Sequence, residues 1–403
     1  MKQPIRLPEL DGLRGLASLM VFFNHLALTI LPSLSTLSPD ASHHHIFITI
    51  GFSPLNIFWG GDFGVCIFFI LSGYVLAQFC SHTRLGLLAM MVRRYLRLAL
   101  PMLFSTLFAF ALLDFGMFFN GSASKIITHS DWLALWYHMQ PTVWIAIKEG
   151  LVSAFVHGKS AYNSNLWTMR IELIGSMMLF IYYVLPNRFT RIILLTPAIL
   201  FLPSYFPLFP AGALLFELSY SMEDFYARNS KYIEIVAIIL FLMGIYAGSF
   251  PASGTNVSFA SPWHNFLIKS RNAQAWHMWG SVFMLLGVIY SKTINYYFKS
   301  MLFQFLGKIS FSLYLVQIMI FCSFTSFMML YFKDLDYLLA VLIVGISSLC
   351  ISLILSYIIA IYVDATSIKF SRRLGKLVDQ FERAVSGLLS STFLDLAHRY
   401  NDK

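Results

Sequence analysis

Apolar runs of roughly 20 residues recur along almost the whole of this chain, and that feature decides what it can fold into. In a bilayer every backbone N–H and C=O must be paired within the protein, so such runs become helices. A barrel would show short alternating strands instead. The expected fold is therefore an all-α, polytopic membrane helical bundle. The runs fall at 14–34, 63–81, 98–119, 166–186, 190–206, 208–222, 232–250, 274–292, 303–330 and 337–363. Pro197, Pro203, Pro207 and Pro210 crowd the fifth and sixth of these. Segment 132–156 carries Trp132, Trp136 and Trp144 and is amphipathic, so it is expected at the interface rather than across the membrane.

Charge tests the ten-span reading. Only 12% of the residues are charged, against roughly 25% in soluble domains. The net charge of +9 invites a nucleic-acid partner, but the basic residues sit mostly in short connections between apolar runs, as orientation signals do. With ten spans, 21 Lys and Arg fall on the side of the termini and 6 on the other, while Arg170 falls within a span. That asymmetry predicts cytoplasmic termini in an inner (plasma) membrane of bacterial type. The domain reading is a transmembrane domain over 1–365 and a basic amphipathic tail over 366–403, suited to anionic headgroups and without a catalytic role. The first run shows no A-x-A cleavage site and reads as an uncleaved span.

Cys66, Cys80, Cys322 and Cys350 lie in or beside apolar runs without CxxC spacing, and read as small buried hydrophobes. His43, His44 and His45 are consecutive, so they point in different directions and offer no metal geometry. No metal is expected.

The first span, within LPELDGLRGLASLMVFFNHLAL, carries Arg14 and His25 eleven residues apart. Eleven helical steps make three turns plus roughly 20°, so both share a face, separated by about 16 Å along the axis. This predicts Arg14 at headgroup level and His25 near mid-membrane, where an ionisable group is expensive and marks a functional position. VRRYLRLALP places Arg93, Arg94 and Arg97 at the mouth of the third span. Their plain reading is topology, and their functional one a bidentate grip on phosphates. FWGGDFGVCIFFILSGYVLA offers Asp62 at a span entrance, with Ser72 and Gly73 inside as packing residues. NLWTMRIELIG holds Trp167, Arg170 and Glu172. Glu172 reads either as a partner of the histidine or a sugar hydroxyl, or as one half of an ion pair with Arg170 or another helix.

In their order these segments resemble the acyltransferase-3 family of integral membrane acyltransferases. LDGLRGLASLMVFFNH matches its R-x10-H signature through Arg14 and His25, and GVCIFFILSGYVL is similar to its second-span motif. RRYLRLALP, LWTMRIEL and FLGKISFSLYLVQ resemble its basic, tryptophan-to-glutamate and serine-tyrosine elements. The resemblance runs from residue 7 to about 317. It implies transfer of an acyl group, often acetyl from acetyl-CoA, with His25 catalytic and Arg14 important for activity or donor binding. Two positions depart from the pattern: Gln317 stands where the family commonly has a histidine, and Asp364-Ala365-Thr366 replaces a glutamate-to-proline element.

The combined expectation is an acyl-CoA co-substrate with its phosphates on Arg14, Arg93, Arg94 and Arg97, and its arm running up a shaft to His25. His25 and Glu172 are the candidate catalytic residues, and Trp167 and Asp62 the candidate acceptor-binding ones. The expected acceptor is a glycan or glycolipid such as lipopolysaccharide O-antigen. His25 would act as a general base in its neutral form, or as an acyl-histidine relay. The competing reading is a secondary transporter or flippase with a His25/Glu172 proton relay, which calls for inverted repeats or paired broken helices.

Overall fold

The computed structural model of the protein describes residues 7–37, 46–185, 187–221, 230–252 and 272–401. The histidine tract at 43–45 lies outside the described residues. Among these residues there is no strand, as the apolar runs require.

Helices stand at all ten expected positions: α1 (Pro8–Ile30), α2 (Gly61–His82), α3 (Leu87–Asp114), α4 (Trp167–Tyr182) and α5 (Arg188–Phe201). They continue as α6 (Leu208–Ser221), α7 (Ser230–Gly248), α8 (Ala273–Tyr290), α9 (Met301–Tyr331) and α10 (Tyr337–Ile359). A wider turn at Ala360–Asp364 joins α10 to α11 (Ala365–Asn401). Six helical stretches among the described residues are long and apolar enough to cross a membrane, which makes the protein an all-α, multi-pass membrane protein. α5 and α6 have 14 residues each, about 21 Å of helix against a hydrocarbon core of about 30 Å. The prolines explain this: Pro203 and Pro207 fall in the connection, where Ser204 is left-handed with φ 57°. Segment 132–156 does not form one helix. It is broken into Asp131–Ala134, Val143–Lys148 and Ala154–His157, with a wider turn at Glu149–Ser153, and none of these reaches a span's length.

Small residues set the helix contacts, since lipid offers apolar faces no reason to leave it. α1 and α9 run side by side in the same direction. A Cβ on Gly15 would stand 2.6 Å from the Gly307 backbone N, and His25 and Gln317, ten residues further along each helix, are again neighbours. α2 crosses α6 as closely: a Cβ on Gly73 would meet the Phe209 carbonyl at 2.3 Å and one on Gly212 the Ile70 carbonyl at 2.2 Å.

α3 starts at Leu87, eleven residues before the apolar run, so Arg93, Arg94 and Arg97 are carried on its first three turns at the entrance to that run. It also passes through Pro101. Proline has no N–H for the carbonyl four residues back, which here is that of Arg97. The Ser367 hydroxyl of α11 donates to the Arg97 carbonyl at 3.4 Å and to that of Leu96 at 3.4 Å, so the freed acceptor is satisfied. The tail helix therefore packs along the first half of α3.

Candidate active site

The arginines gather at one end of the bundle, called here the basic end. A cavity of about 330 Å³ opens there, lined by Arg14, Arg94, Arg97, Glu172, Tyr314 and Asp364. Most of its cations are already paired. Arg14 Nη1 lies 3.2 Å from Asp11 Oδ1, one turn earlier on α1. Arg94 donates through Nη2 to Glu172 Oε1 and through Nε to Ser176 Oγ at 2.9 Å. Arg97 forks onto Asp364, with Nη1 on Oδ1 and Nη2 3.0 Å from Oδ2.

Glu172 thus pairs with Arg94 across helices instead of with Arg170, and its Oε1 also accepts from Ser72 Oγ at 2.6 Å. It sits in the basic cavity and not at His25. Asp364, a departure from the family pattern in the sequence, supplies the counter-charge for Arg97. Arg93 does not line this cavity; its guanidinium lies over the Phe79 ring, 4.9 Å from the centroid.

His25 belongs to the opposite, far end. It stands five residues before α1 ends at Ile30, about 8 Å from that end of the helix. Its ring stacks on Trp132, with centroids 5.3 Å apart and planes at 15°. The broken 120–157 segment brings that tryptophan in, anchored by Ser130 Oγ donating to the Leu28 carbonyl at 2.5 Å. His25 Nδ1 is buried without a hydrogen-bond partner, and so is Oε1 of neighbouring Gln317. An orphaned buried polar atom is costly, and at a functional site it marks where a ligand group is received.

His25 does not line the basic cavity; the lining includes Tyr314, one turn of α9 before Gln317, and Tyr314 packs on Phe68 with ring centroids 6.2 Å apart. The Tyr314 hydroxyl is held by the Asn165 carbonyl at 2.6 Å and Thr168 Oγ1 at 2.7 Å.

A second cluster stands level with His25, because Asn24 abuts Gly61 at the start of α2. Here Asp62 and Trp167 are brought together through Tyr205, a residue the sequence reading did not single out. The Tyr205 hydroxyl donates to Asp62 Oδ1, and its ring lies 5.8 Å from that of Trp167, which is 38% exposed. His277 was missed as well. It is 1% exposed; its Nε2 donates to the Phe250 carbonyl at 2.9 Å, and its Nδ1 lies 2.5 Å from Asp62 Oδ2. Since the carbonyl can only accept, Nε2 is the donor in that hydrogen bond. The available signal was a histidine inside the 274–292 apolar run, which carries the same cost as His25. No group of His, Cys, Asp and Glu that could hold a metal occurs among the described residues.

The acyltransferase-3 family model, described as an acyltransferase domain, matches residues 7–357. The chain belongs to this family. Acyltransferase R4 of a Phoma species is 24% identical over 405 residues, covering 81% of this chain and 84% of its own. No solved structure matches. The protein is thus a membrane acyltransferase, and the transporter reading falls. Arg14, His25, Asp62, the three α3 arginines, Trp167 and Glu172 all lie within the matched acyltransferase residues; Asp364 and α11 lie beyond them.

Proposed function

We propose that this acyltransferase takes an acyl group, acetyl in the simplest case, from a coenzyme A thioester at the basic end. It delivers the group to a hydroxyl of a glycan or glycolipid at the far end. The observation that carries this reading is the division of labour along the bundle. Arginines that suit phosphates line one end, while the orphaned His25 nitrogen, two tryptophans and a carboxylate occupy the other. The Lys/Arg asymmetry supports a basic end facing the cytoplasm, with both termini there and the far end outside an inner (plasma) membrane.

In the one-step version His25 Nδ1 takes the proton of the acceptor hydroxyl, whose oxygen bonds to the thioester carbonyl carbon. The C–S bond breaks, and the thiolate leaves with the proton returned by the imidazolium. In the relay version the neutral imidazole attacks the carbonyl, coenzyme A leaves, and the hydroxyl oxygen then takes the acyl group from nitrogen as its proton is released. Trp167 suits the apolar face of a sugar ring, and Asp62 suits one of its hydroxyls.

The test is release of free thiol from acetyl-CoA by the purified protein, together with labelled acetyl in a membrane glycolipid fraction. Thiol and label should appear together; no release from acetyl or longer acyl thioesters would sink the coenzyme A donor. Asp62→Asn should raise KM for the acceptor about tenfold, the worth of one charge-assisted hydrogen bond, and leave KM for the donor unchanged. An unchanged acceptor KM would remove Asp62 from acceptor binding.

A further inference from the structure

The donor reading leaves open which cations are free to receive phosphate, because three of the four expected arginines already have carboxylate partners. Arg93 is the exception. It lines a second cavity at the basic end, of about 400 Å³, together with Arg14, Arg94, Arg97 and Arg372. Arg372 belongs to α11, the tail helix to which the sequence assigned only a headgroup role. Among the described residues neither Arg93 nor Arg372 has a carboxylate within ion-pair distance.

The two guanidinium groups are held close enough to repel one another. The tail is pinned in this position. Gly375, one turn after Arg372, packs on Arg93, where a Cβ would stand 3.2 Å from Arg93 Cβ. Further along, Asp379 Oδ1 accepts from the Gly86 N–H at 2.8 Å, and Glu382 accepts from the N–H groups of Leu88 and Ala89 at 3.5 and 3.4 Å. Both carboxylates are thus turned onto the start of α3 and away from the arginine pair. Two like charges fixed together beside a cavity cost energy in the free protein, and a polyanion binding both recovers it.

We propose that Arg372 and Arg93 form a phosphate-binding site for a polyphosphorylated nucleotide, the adenosine bisphosphate end of a coenzyme A thioester, and that the tail helix completes this site. The deduction rests on the donor reading above. It moves the anchor of the donor from the paired arginines Arg94 and Arg97 to the unpaired Arg93 and Arg372. The paired arginines then face the arm and the thioester end.

The experiment is titration of the full-length purified protein with adenosine 3′,5′-bisphosphate and, separately, with coenzyme A. Wild type, Arg372→Gln, Arg93→Gln and Arg373→Gln are compared. Arg372 is exposed at the cavity mouth, so its substitution leaves the packing intact. The expected result is about tenfold weaker binding of both ligands to Arg372→Gln and to Arg93→Gln. Arg373→Gln, whose side chain points about 100° away on the helix, should bind as wild type does. Bisphosphate binding that is equal in wild type and Arg372→Gln would overturn the proposal and leave the donor reading standing. Wild type that binds neither ligand would overturn both. Binding that behaves as expected without any thiol release would keep this site and sink only the thioester chemistry.

Discussion

His25→Ala is expected to lower kcat for thiol release about a thousandfold, the usual contribution of a positioned general base, and to leave KM for the donor nearly unchanged. The separation follows from the geometry. His25 lines neither basic-end cavity and touches none of the arginines there, so the donor's phosphates lose nothing when its ring is removed. What is lost is a ring held flat against Trp132 beside Gln317, with a buried Nδ1 that makes no hydrogen bond of normal geometry. A fall in kcat with KM preserved is the signature of an interaction used only in the transition state. Equal kcat in both proteins would remove His25 from the mechanism. The same pair of proteins distinguishes the two chemical routes. Labelled acyl group retained on denatured wild type but not on His25→Ala would exclude the one-step transfer. Its absence from both, during active turnover, would favour the general base.

Glu172→Ala is expected to destabilise the protein by about 2–3 kcal/mol, measured by thermal unfolding in detergent. Removing one member of a buried ion pair strands the other, at a cost of about 3–5 kcal/mol. The side chains of Arg94 and Glu172 keep 19% and 10% of their exposure, which moderates the loss. Ser72 also loses its acceptor. Arg94→Ala should cost a similar amount, and the double variant less than the sum, because neither charge is then stranded. Glu172→Gln keeps an amide oxygen for Ser72 Oγ and Arg94 Nη2, so most of the stability should return. That variant also separates structure from catalysis. If Glu172 exchanges a proton during transfer, Glu172→Gln will be stable and inactive. Its place on Arg94, remote from His25, leads to the opposite expectation, activity within tenfold of wild type. Additive losses in the double variant would show that the pair is not coupled.

The helical membrane bundle was legible in the residue order because hydropathy is a local property: an apolar run of sufficient length must pair its own backbone, whatever surrounds it. The placing of Arg14 and His25 on one helix rests on the same regularity. What the two residues face was not legible. Their common helix carries Arg14 into the basic cavity and His25 to the far end, where Trp132 of the broken 120–157 segment meets its ring. α3 continues eleven residues ahead of its apolar run because arginine, which lowers the local hydropathy, is a good helix former and can snorkel or pair inside a bundle.

The ion pairs follow the same division. Glu172 could be recognised as a carboxylate too costly to bury alone, but its partner Arg94 is 78 positions away in the chain, and His277 lies 215 from Asp62. Asp364 is 267 positions from Arg97 and looked like a lapse from a motif. Helical period states which residues share a face. Which faces meet depends on where glycines allow backbones to approach, as at Gly15 with Gly307 and Gly73 with Phe209, and on where a buried charge finds its opposite. Those contacts arise between segments distant in sequence, so the tertiary packing alone decided the partners of the charged groups, the lining of the cavity and the seat of the tail helix.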